Sequence, residues 1–476
     1  MIEISTIITW ITISLYLYLF ITIYFLLLDE RDTSSTIAWL LFFFIFPIIG
    51  LLIYILAGRN WRIKPKGFMF QTHMKVLLSS LVHKQKEYQQ HIAHNVDAYK
   101  VMKLVARNAN SLITLHNNIE LITSGEQKFN LLLKDIAQAK HSIHMEYFTW
   151  YSDEQTQRIQ QALIQKAMQG VEVRILYDTY GSFGVMKRAY KKTLQKAGVH
   201  IYPYFNFLSP FRFHTLNYRN HRKIVVIDGC IGYTGGMNLG KEYVDGGKYG
   251  YWRDLHMRMQ GDSVLVLQEI FAISWYNTTK QRLFAQQYFP KQSIKQKLPI
   301  QITTSGPDSE WESIKQLFFT LIANADTTVY IHTPYFIPDQ SMLMALKTAA
   351  LSGIDVRIIM TGVPDKRIPF WAAHTYFKSL LKAGVKIYLY QKGFMHAKSM
   401  SIDGTMCCMG SANFDSRSFH LNYELATIIY DTGFAKQVQQ AFIDDIAHCK
   451  ELSMDDKMSV WAQLRNGCMR LLAPIL

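Results

Sequence analysis

A short pattern that occurs twice constrains this chain more than any other feature. His221-Arg-Lys223, four residues, Asp228-Gly229, then Gly235, Gly236 and Asn238 is answered 175 residues later by His396-Ala-Lys398, Asp403-Gly404, Gly410 and Asn413. Aligned from the histidine without a gap, 221–238 and 396–413 agree at seven of eighteen positions. A lone lysine near a histidine reads as a solvated strand end, but two copies with the same downstream aspartate, glycine and asparagine mark a duplicated unit.

The surrounding sequence repeats as well. In the first half, apolar Ile119–Thr123 and Gly125 precede a helical stretch Phe129–Ala139 and a strand Ile143–Phe148. A helix over Gln155–Met168, a strand over Val171–Tyr177 and Lys196-Ala-Gly-Val-His-Ile-Tyr202 follow. The second half runs Ile300–Thr304, Gly306, Ile314–Ala323, Thr328–His332, Met342–Leu351, Ile354–Ile359 and Lys382-Ala-Gly-Val-Lys-Ile-Tyr388. Strands separated by helices predict an α/β fold, a mixed sheet covered by helices in each half. The repeat predicts two such α/β/α domains related by a pseudo-twofold, with the site at their interface.

Each motif enters a short β-prone run, Ile224–Ile227 or Ser399–Ile402, so the histidine and the lysine two residues on project from one face. Two such faces opposed supply what phosphodiester chemistry needs without a metal or cofactor. A neutral histidine attacks phosphorus, and a protonated one gives its proton to the leaving oxygen and later takes one from the acceptor. Lys223, Lys398, Asn238 and Asn413 stabilise the charge on the transferring group. Asp228 and Asp403 complete the motifs; each precedes a glycine in a turn-like position, where a structural role and a role behind the catalytic groups are both open. Gly235, Gly236 and Gly410 allow close backbone approach.

These residues resemble the phospholipase D superfamily, whose mark is two HKD motifs and whose catalytic set would be His221, Lys223, Asp228, His396, Lys398 and Asp403. The flanks narrow the likeness to the bacterial cardiolipin synthases: Asn217-Tyr-Arg-Asn220, Gly235-Gly-Met-Asn-Leu-Gly-Lys-Glu-Tyr243, Trp252-Arg-Asp-Leu-His256, Gly393-Phe-Met395, Gly410-Ser-Ala-Asn-Phe-Asp-Ser-Arg-Ser418 and Asn422-Tyr-Glu424. The resemblance implies two phospholipase D-like domains and a phosphatidyltransferase that joins two phosphatidylglycerols into cardiolipin and glycerol through a phosphatidyl-histidine, with His221 as nucleophile and His396 as acid and base. It also implies an acid that orients each catalytic histidine. Aligning the strands after the motifs puts Asp254 opposite Glu424, with an insertion through Val244–Tyr249 in the first half. The competing expectation is a phosphodiesterase in which water is the acceptor and the substrate is phospholipid or nucleic acid.

Ile4–Leu28 and Thr33–Gly58 are uncharged runs of twenty-five and twenty-six residues, each long enough for a hydrocarbon core, which takes about 20 residues. A signal peptide does not fit, because the first run lacks a basic lead and a small-residue cleavage site. The connection Asp29-Glu-Arg-Asp32 is acidic, whereas Arg59, Arg62, Lys64 and Lys66 follow the second run. The expectation is therefore a two-helix, multi-pass anchor at 1–58 in a bacterial inner membrane, with the large domain cytoplasmic. Next come a basic juxtamembrane linker at 59–110, halves at 111–290 and 291–445, and a tail at 446–476. Within the linker Met74, Val76, Leu77, Leu78 and Leu81 suggest an interfacial helix or an ordinary solvated one, and the tail fits an interfacial helix or one packed on the domain.

The net charge of +15 suits anionic lipid or nucleic acid alike; the anchor and the flanks select phosphatidylglycerol and anionic membrane lipid, with no nucleic acid expected. Tyr202, Tyr204, Phe205, Phe207, Phe211 and Phe213 fit base stacking or an acyl-chain entrance. Cys230, Cys407, Cys408, Cys449 and Cys468 are odd in number and lack zinc spacing, the pattern of reduced thiols. His141 and His144 lack a third ligand, His332 fits a substrate groove or packing, Arg212, Arg219 and Arg222 fit headgroup phosphates or a solvated face, and Ser411 is a further phosphate donor candidate.

Overall fold

The computed structural model describes residues 4–28, 33–54, 78–92, 95–205, 217–456 and 458–473. It divides into an N-terminal unit, residues 1–62 with 207–217, and a larger unit holding 63–206 and 218–476.

In the N-terminal unit, α1 (Ile4–Leu28) is the one helix among the described residues long and apolar enough to cross a bilayer. The second apolar run is not one helix. It breaks at Phe46 (φ −131°, ψ 71°) into α2 (Thr33–Ile45) and α3 (Pro47–Ile53), because a residue ahead of proline is pushed out of the helical region while proline suits the first helical turn. Trp39, Phe43 and Tyr54 close over the break, with Trp39 and Tyr54 rings 5.0 Å apart. Residues 55–58 of the expected span lie outside the described ones.

The larger unit opens with α4 (Ser79–Ile92) and α5 (Val96–Asn108). Its first half runs β1 (Ile113–Ile122), α6 (Gly125–Gln138), β2 (Ser142–Tyr147), α7 (Glu154–Met168), β3 (Glu172–Tyr177), α8 (Arg188–Lys196), β4 (His200–Pro203), β5 (Arg219–Asn220), β6 (Ile224–Ile227), β7 (Ile231–Gly235), β8 (Tyr251–Arg253), β9 (His256–Gly261) and α9 (Asp262–Thr279). The second half runs β10 (Lys297–Ser305), α10 (Ser313–Ala323), β11 (Thr328–His332), β12 (Phe336–Ile337), α11 (Gln340–Leu351), β13 (Asp355–Thr361), α12 (Arg367–Ala383), β14 (Lys386–Tyr390), β15 (Gly393–Met395), β16 (Ser399–Ile402), β17 (Met406–Gly410), β18 (Phe414–Asp415), α13 (Ser416–His420), β19 (Asn422–Ile429), α14 (Thr432–Ile446) and β20 (Cys449–Glu451). The last helix is α15 (Val460–Arg470).

One mixed sheet crosses both halves in the order β20-β14-β13-β11-β16-β17-β19-β10-β1-β9-β7-β6-β2-β3-β4, joined by the antiparallel β1–β10 pair. Outward from that seam the strands succeed one another in corresponding order. β2, β3 and β4 run parallel, as do β11, β13 and β14. Parallel strands connected through helices are covered on both faces and read as apolar runs, which is why this part of the sequence was the most legible.

The stretch expected as an interfacial or solvated linker is instead part of this core where it is described. Leu81, Tyr88, Val101, Met102 and Val105 are buried. Gln85 makes both backbone bonds of Ile113, at 3.0 and 2.8 Å, and so fixes the edge of β1. Its basic lead and Met74, Val76 and Leu77 lie outside the described residues.

The Asp-Gly pairs of the two motifs turn the hairpins β6–β7 and β16–β17. Both residues of each pair have positive φ, 52° and 63° at Asp228 and Gly229, 53° and 60° at Asp403 and Gly404. That is the signature of a type I′ turn, and aspartate is among the few residues with a side chain that adopt it readily. The Asp228 carboxylate accepts the backbone N–H groups of Lys140, His141 and Ser142 at 2.7–2.8 Å. The Asp403 carboxylate does the same for Asp326, Thr327 and Thr328 at 2.7–3.0 Å. The third member of each motif thus fastens a turn to the start of β2 or β11. The carboxylate expected in the catalytic set is taken up by backbone donors, at the far end of the strand from the histidine.

Candidate active site

Each histidine is delivered by a very short strand lying on the other half. β5 pairs with β19, Asn220 opposite Tyr423, and His221 N donates to Tyr423 O at 2.9 Å. β15 pairs with β8, Met395 opposite Arg253, and His396 N donates to Arg253 O at 2.7 Å. The residue after each of those carbonyls is an acid, Glu424 or Asp254. The exchange therefore continues into the side chains: His221 Nδ1 is 3.0 Å from the Glu424 carboxylate, and His396 Nδ1 is 2.6 Å from Asp254 Oδ2. With Nδ1 engaged, Nε2 is the nitrogen left for chemistry.

The lysines stand where their i+2 spacing puts them. Lys223 Nζ donates to the carbonyl of His221 at 2.6 Å, and Lys398 Nζ donates to that of His396. Asn238 and Asn413 are buried in the same region. Asn238 Oδ1 accepts the Thr149 N–H at 3.2 Å, which turns its Nδ2 outward from that bond, whereas Asn413 Oδ1 has no partner among the described residues.

Burial sets the electrostatics. It pushes His221 down to about 4, against the pull of Glu424, and His396 well below its ordinary value. Lys398 falls to about 8 and Lys223 well below the usual lysine range. Asp254 rises to about 6. Burial raises Glu424 too, but His221, Lys223 and Ser411 outweigh it and hold the carboxyl below its usual range. Near neutral pH both histidines thus hold a lone pair unless a bound anion restores their protons.

The two acids sit in unlike pockets. Ser411 donates its hydroxyl to the Glu424 carboxylate and accepts Leu425 N at 3.0 Å. In the other half Gly236 stands in its place, and a β-carbon there would lie 2.1 Å from Asp254 Oδ1. The glycine makes room for the shorter acid to approach its histidine.

Other candidates turn out to be framework. Arg222 Nε donates to Glu424 O at 3.2 Å, its guanidinium over the Tyr423 ring. His332 lies between Ser399 Oγ at 2.9 Å and the Asp445 carboxylate at 3.3 Å, and His144 stacks on Phe271. Arg219 covers the Tyr180 ring at 3.9 Å. Tyr204 packs on Phe205 and Tyr423; Arg212, Phe207, Phe211 and Phe213 lie outside the described residues.

Two residues of the site were not singled out from the sequence. Lys128 is fully buried; Nζ donates to the carbonyls of Met237 at 3.1 Å and Asn238 at 2.9 Å, and burial lowers it to about 7. The available signal was a lysine in register with Leu132 and Ile136 on the core face of α6. Tyr243, quoted only as a flank, brings its hydroxyl within 3.3 Å of His396 Nδ1.

The family described as cardiolipin synthase, PLD-like domain, matches residues 132–248 and 318–446, and one described as Phospholipase D-nuclease N-terminal matches 14–59. Among solved structures, a phosphatidylserine synthase of Haemophilus influenzae Rd KW20 shares the fold, with a TM-score of 0.61 at 16% identity over 79% of this chain and all of that one. The Major cardiolipin synthase ClsA of Bacillus subtilis is 39% identical over 460 residues, 94% of this chain and 95% of that protein. Cardiolipin synthase 2 of Bacillus anthracis is 41% identical over 462 residues, 94% and 88% of the two chains. The chain belongs to the cardiolipin synthase family of phospholipase D-like proteins.

Proposed function

We propose that the chain is a phosphatidyltransferase that makes cardiolipin and glycerol from two phosphatidylglycerols by double displacement at the histidine pair. His221 Nε2 attacks the phosphorus of the first lipid, and glycerol leaves with a proton from His396 Nε2. A hydroxyl of the second phosphatidylglycerol then gives its proton to His396 and displaces His221. Lys223, Lys398, Asn238 and Asn413 hold the non-bridging oxygens, while Glu424 and Asp254 keep the imidazoles oriented and offset the positive charge each carries in turn. The observation that carries this reading is the reciprocal exchange, in which each histidine takes its carboxylate and its backbone acceptor from the opposite half. It supports a pseudo-twofold site that neither half completes alone.

The lipid comes from a bilayer to which the N-terminal unit anchors the chain. We place both apolar runs across a bacterial cell membrane, the second through its proline-broken pair of helices, and the larger unit in the cytoplasm on the strength of Arg59, Arg62, Lys64 and Lys66. α15 supports contact with the same surface, since Trp461 and Leu464 are 80% and 58% exposed.

The test is to incubate detergent-purified protein with phosphatidylglycerol alone, in the presence of a chelator, beside His221→Ala and His396→Ala. Cardiolipin with equimolar glycerol, lost in both variants, is expected. Phosphatidic acid without cardiolipin would make water the acceptor and overturn the proposal.

A further inference from the structure

The backbone and carboxylate contacts of the two histidines are reciprocal, and one departure from that symmetry lies at Tyr243. Five positions after Asn238 stands Tyr243; five after Asn413 stands Ser418. Ser418 turns its hydroxyl back to accept the Asn413 backbone N–H at 3.1 Å. Tyr243 is buried with its ring against Trp252, centroids 5.4 Å apart, and its hydroxyl meets both halves at once: Asn238 Nδ2 at 3.4 Å and His396 Nδ1 at 3.3 Å. Asn238 is aimed at that hydroxyl because Thr149 N–H occupies its Oδ1 and Lys128 grips its carbonyl. In the other half the Ser411 hydroxyl goes to the Glu424 carboxylate instead.

We propose that Tyr243 is a positioning residue that makes the two histidines inequivalent, its oxygen acting as a second acceptor for the His396 Nδ1–H beside Asp254 and so dedicating His396 to proton transfer. An extra acceptor on Nδ1–H supports the imidazolium, the form that passes the Nε2 proton to the departing glycerol oxygen. The nucleophile draws its support from the Glu424 carboxylate at 3.0 Å and presents its Nε2 to phosphorus. This inference rests on the double-displacement reading above and refines it.

The experiment varies the leaving group. Phosphatidylglycerol expels an alkoxide that must be protonated, whereas phosphatidyl-p-nitrophenol expels a phenolate that need not be. Tyr243→Phe, which keeps the ring on Trp252, is expected to lower kcat on phosphatidylglycerol about tenfold, the scale of one lost hydrogen bond, with KM little changed, while p-nitrophenolate release stays within about twofold. Replacing Tyr243 by 3,5-difluorotyrosine preserves shape and weakens the oxygen as an acceptor, so it gives a smaller loss confined to phosphatidylglycerol. Equal losses on both lipids, or a loss on neither, overturn the inference. Production of phosphatidic acid alone by the wild-type chain would instead overturn the choice of acceptor and leave the leaving-group comparison readable.

Discussion

The aspartate that gives the HKD motif its last letter provides a sharp test, because its carboxylate is taken up by backbone donors away from the histidine. Asp228 Oδ1 accepts His141 N at 2.7 Å and Ser142 N at 2.8 Å, and Oδ2 accepts Lys140 N at 2.8 Å. Asp228→Asn keeps the carbonyl oxygen for two of these and tolerates the φ of 52°, but turns an NH2 toward the third donor. One lost charge-assisted bond costs about 1–2 kcal/mol. Asp228→Ala loses all three, leaves the N–H of buried Ser142 without its acceptor and puts alanine at positive φ, for about 3–5 kcal/mol in all. Unfolding followed in detergent should rank the stabilities wild type, Asn, Ala in that order. Cardiolipin formation well below the unfolding temperature should stay within about threefold for the Asn variant, against a loss of at least about 10³-fold for His221→Ala. An Asp228→Asn variant that unfolds like wild type yet is as inactive as His221→Ala would return Asp228 to the catalytic set.

The same geometry makes further predictions. Glu424→Gln and Asp254→Asn each leave a histidine in the wrong tautomer, so kcat should fall by about 10²–10⁴ with KM little moved in steady-state assays; unchanged turnover in either would remove that acid from its role. Burial holds Lys398 at about 8, so kcat/KM should fall as pH rises through that value. Stability moves the other way: between about 8 and 10.5 the unfolded chain binds the extra proton and the fold gains stability with pH, so activity lost there without a drop in unfolding midpoint is the expected pairing. Trp461→Asp with Leu464→Asp should lower activity on phosphatidylglycerol in bilayers while sparing it in detergent micelles; equal activity in both would detach α15 from the membrane.

What could be read from the residues was what short-range pattern encodes. The H-x-K spacing sets histidine and lysine on one face, and the apolar runs of β2, β3, β11 and β13 stand out because both sides of such strands are covered. The second apolar run looks continuous in composition, yet it breaks at Phe46 ahead of Pro47. The partners across the site were out of reach, for Glu424 lies 203 residues from His221 and Asp254 142 from His396; alignment matches the acids to each other but is silent on which histidine each one serves. Asp228 and Asp403 look like nearby catalytic acids until their backbone donors are seen. α4 and α5 have polar faces wide enough to pass for a linker, and burial of Tyr88 and Met102 depends on the sheet beneath them. Lys128 stood in a core-facing position, and its purpose became visible only with the carbonyls of Met237 and Asn238 beside it.

A covalent phosphatidyl-histidine can be caught by mixing the purified chain with phosphatidylglycerol, quenching within the first turnover under conditions that preserve phosphohistidine, and locating the adduct by peptide mass. A phosphatidyl group on the peptide carrying His221, absent from His221→Ala and chased into cardiolipin by added phosphatidylglycerol, is the predicted result. An adduct on His396 would exchange the two roles, and cardiolipin formed at full rate with no covalent adduct at any time would contradict double displacement altogether.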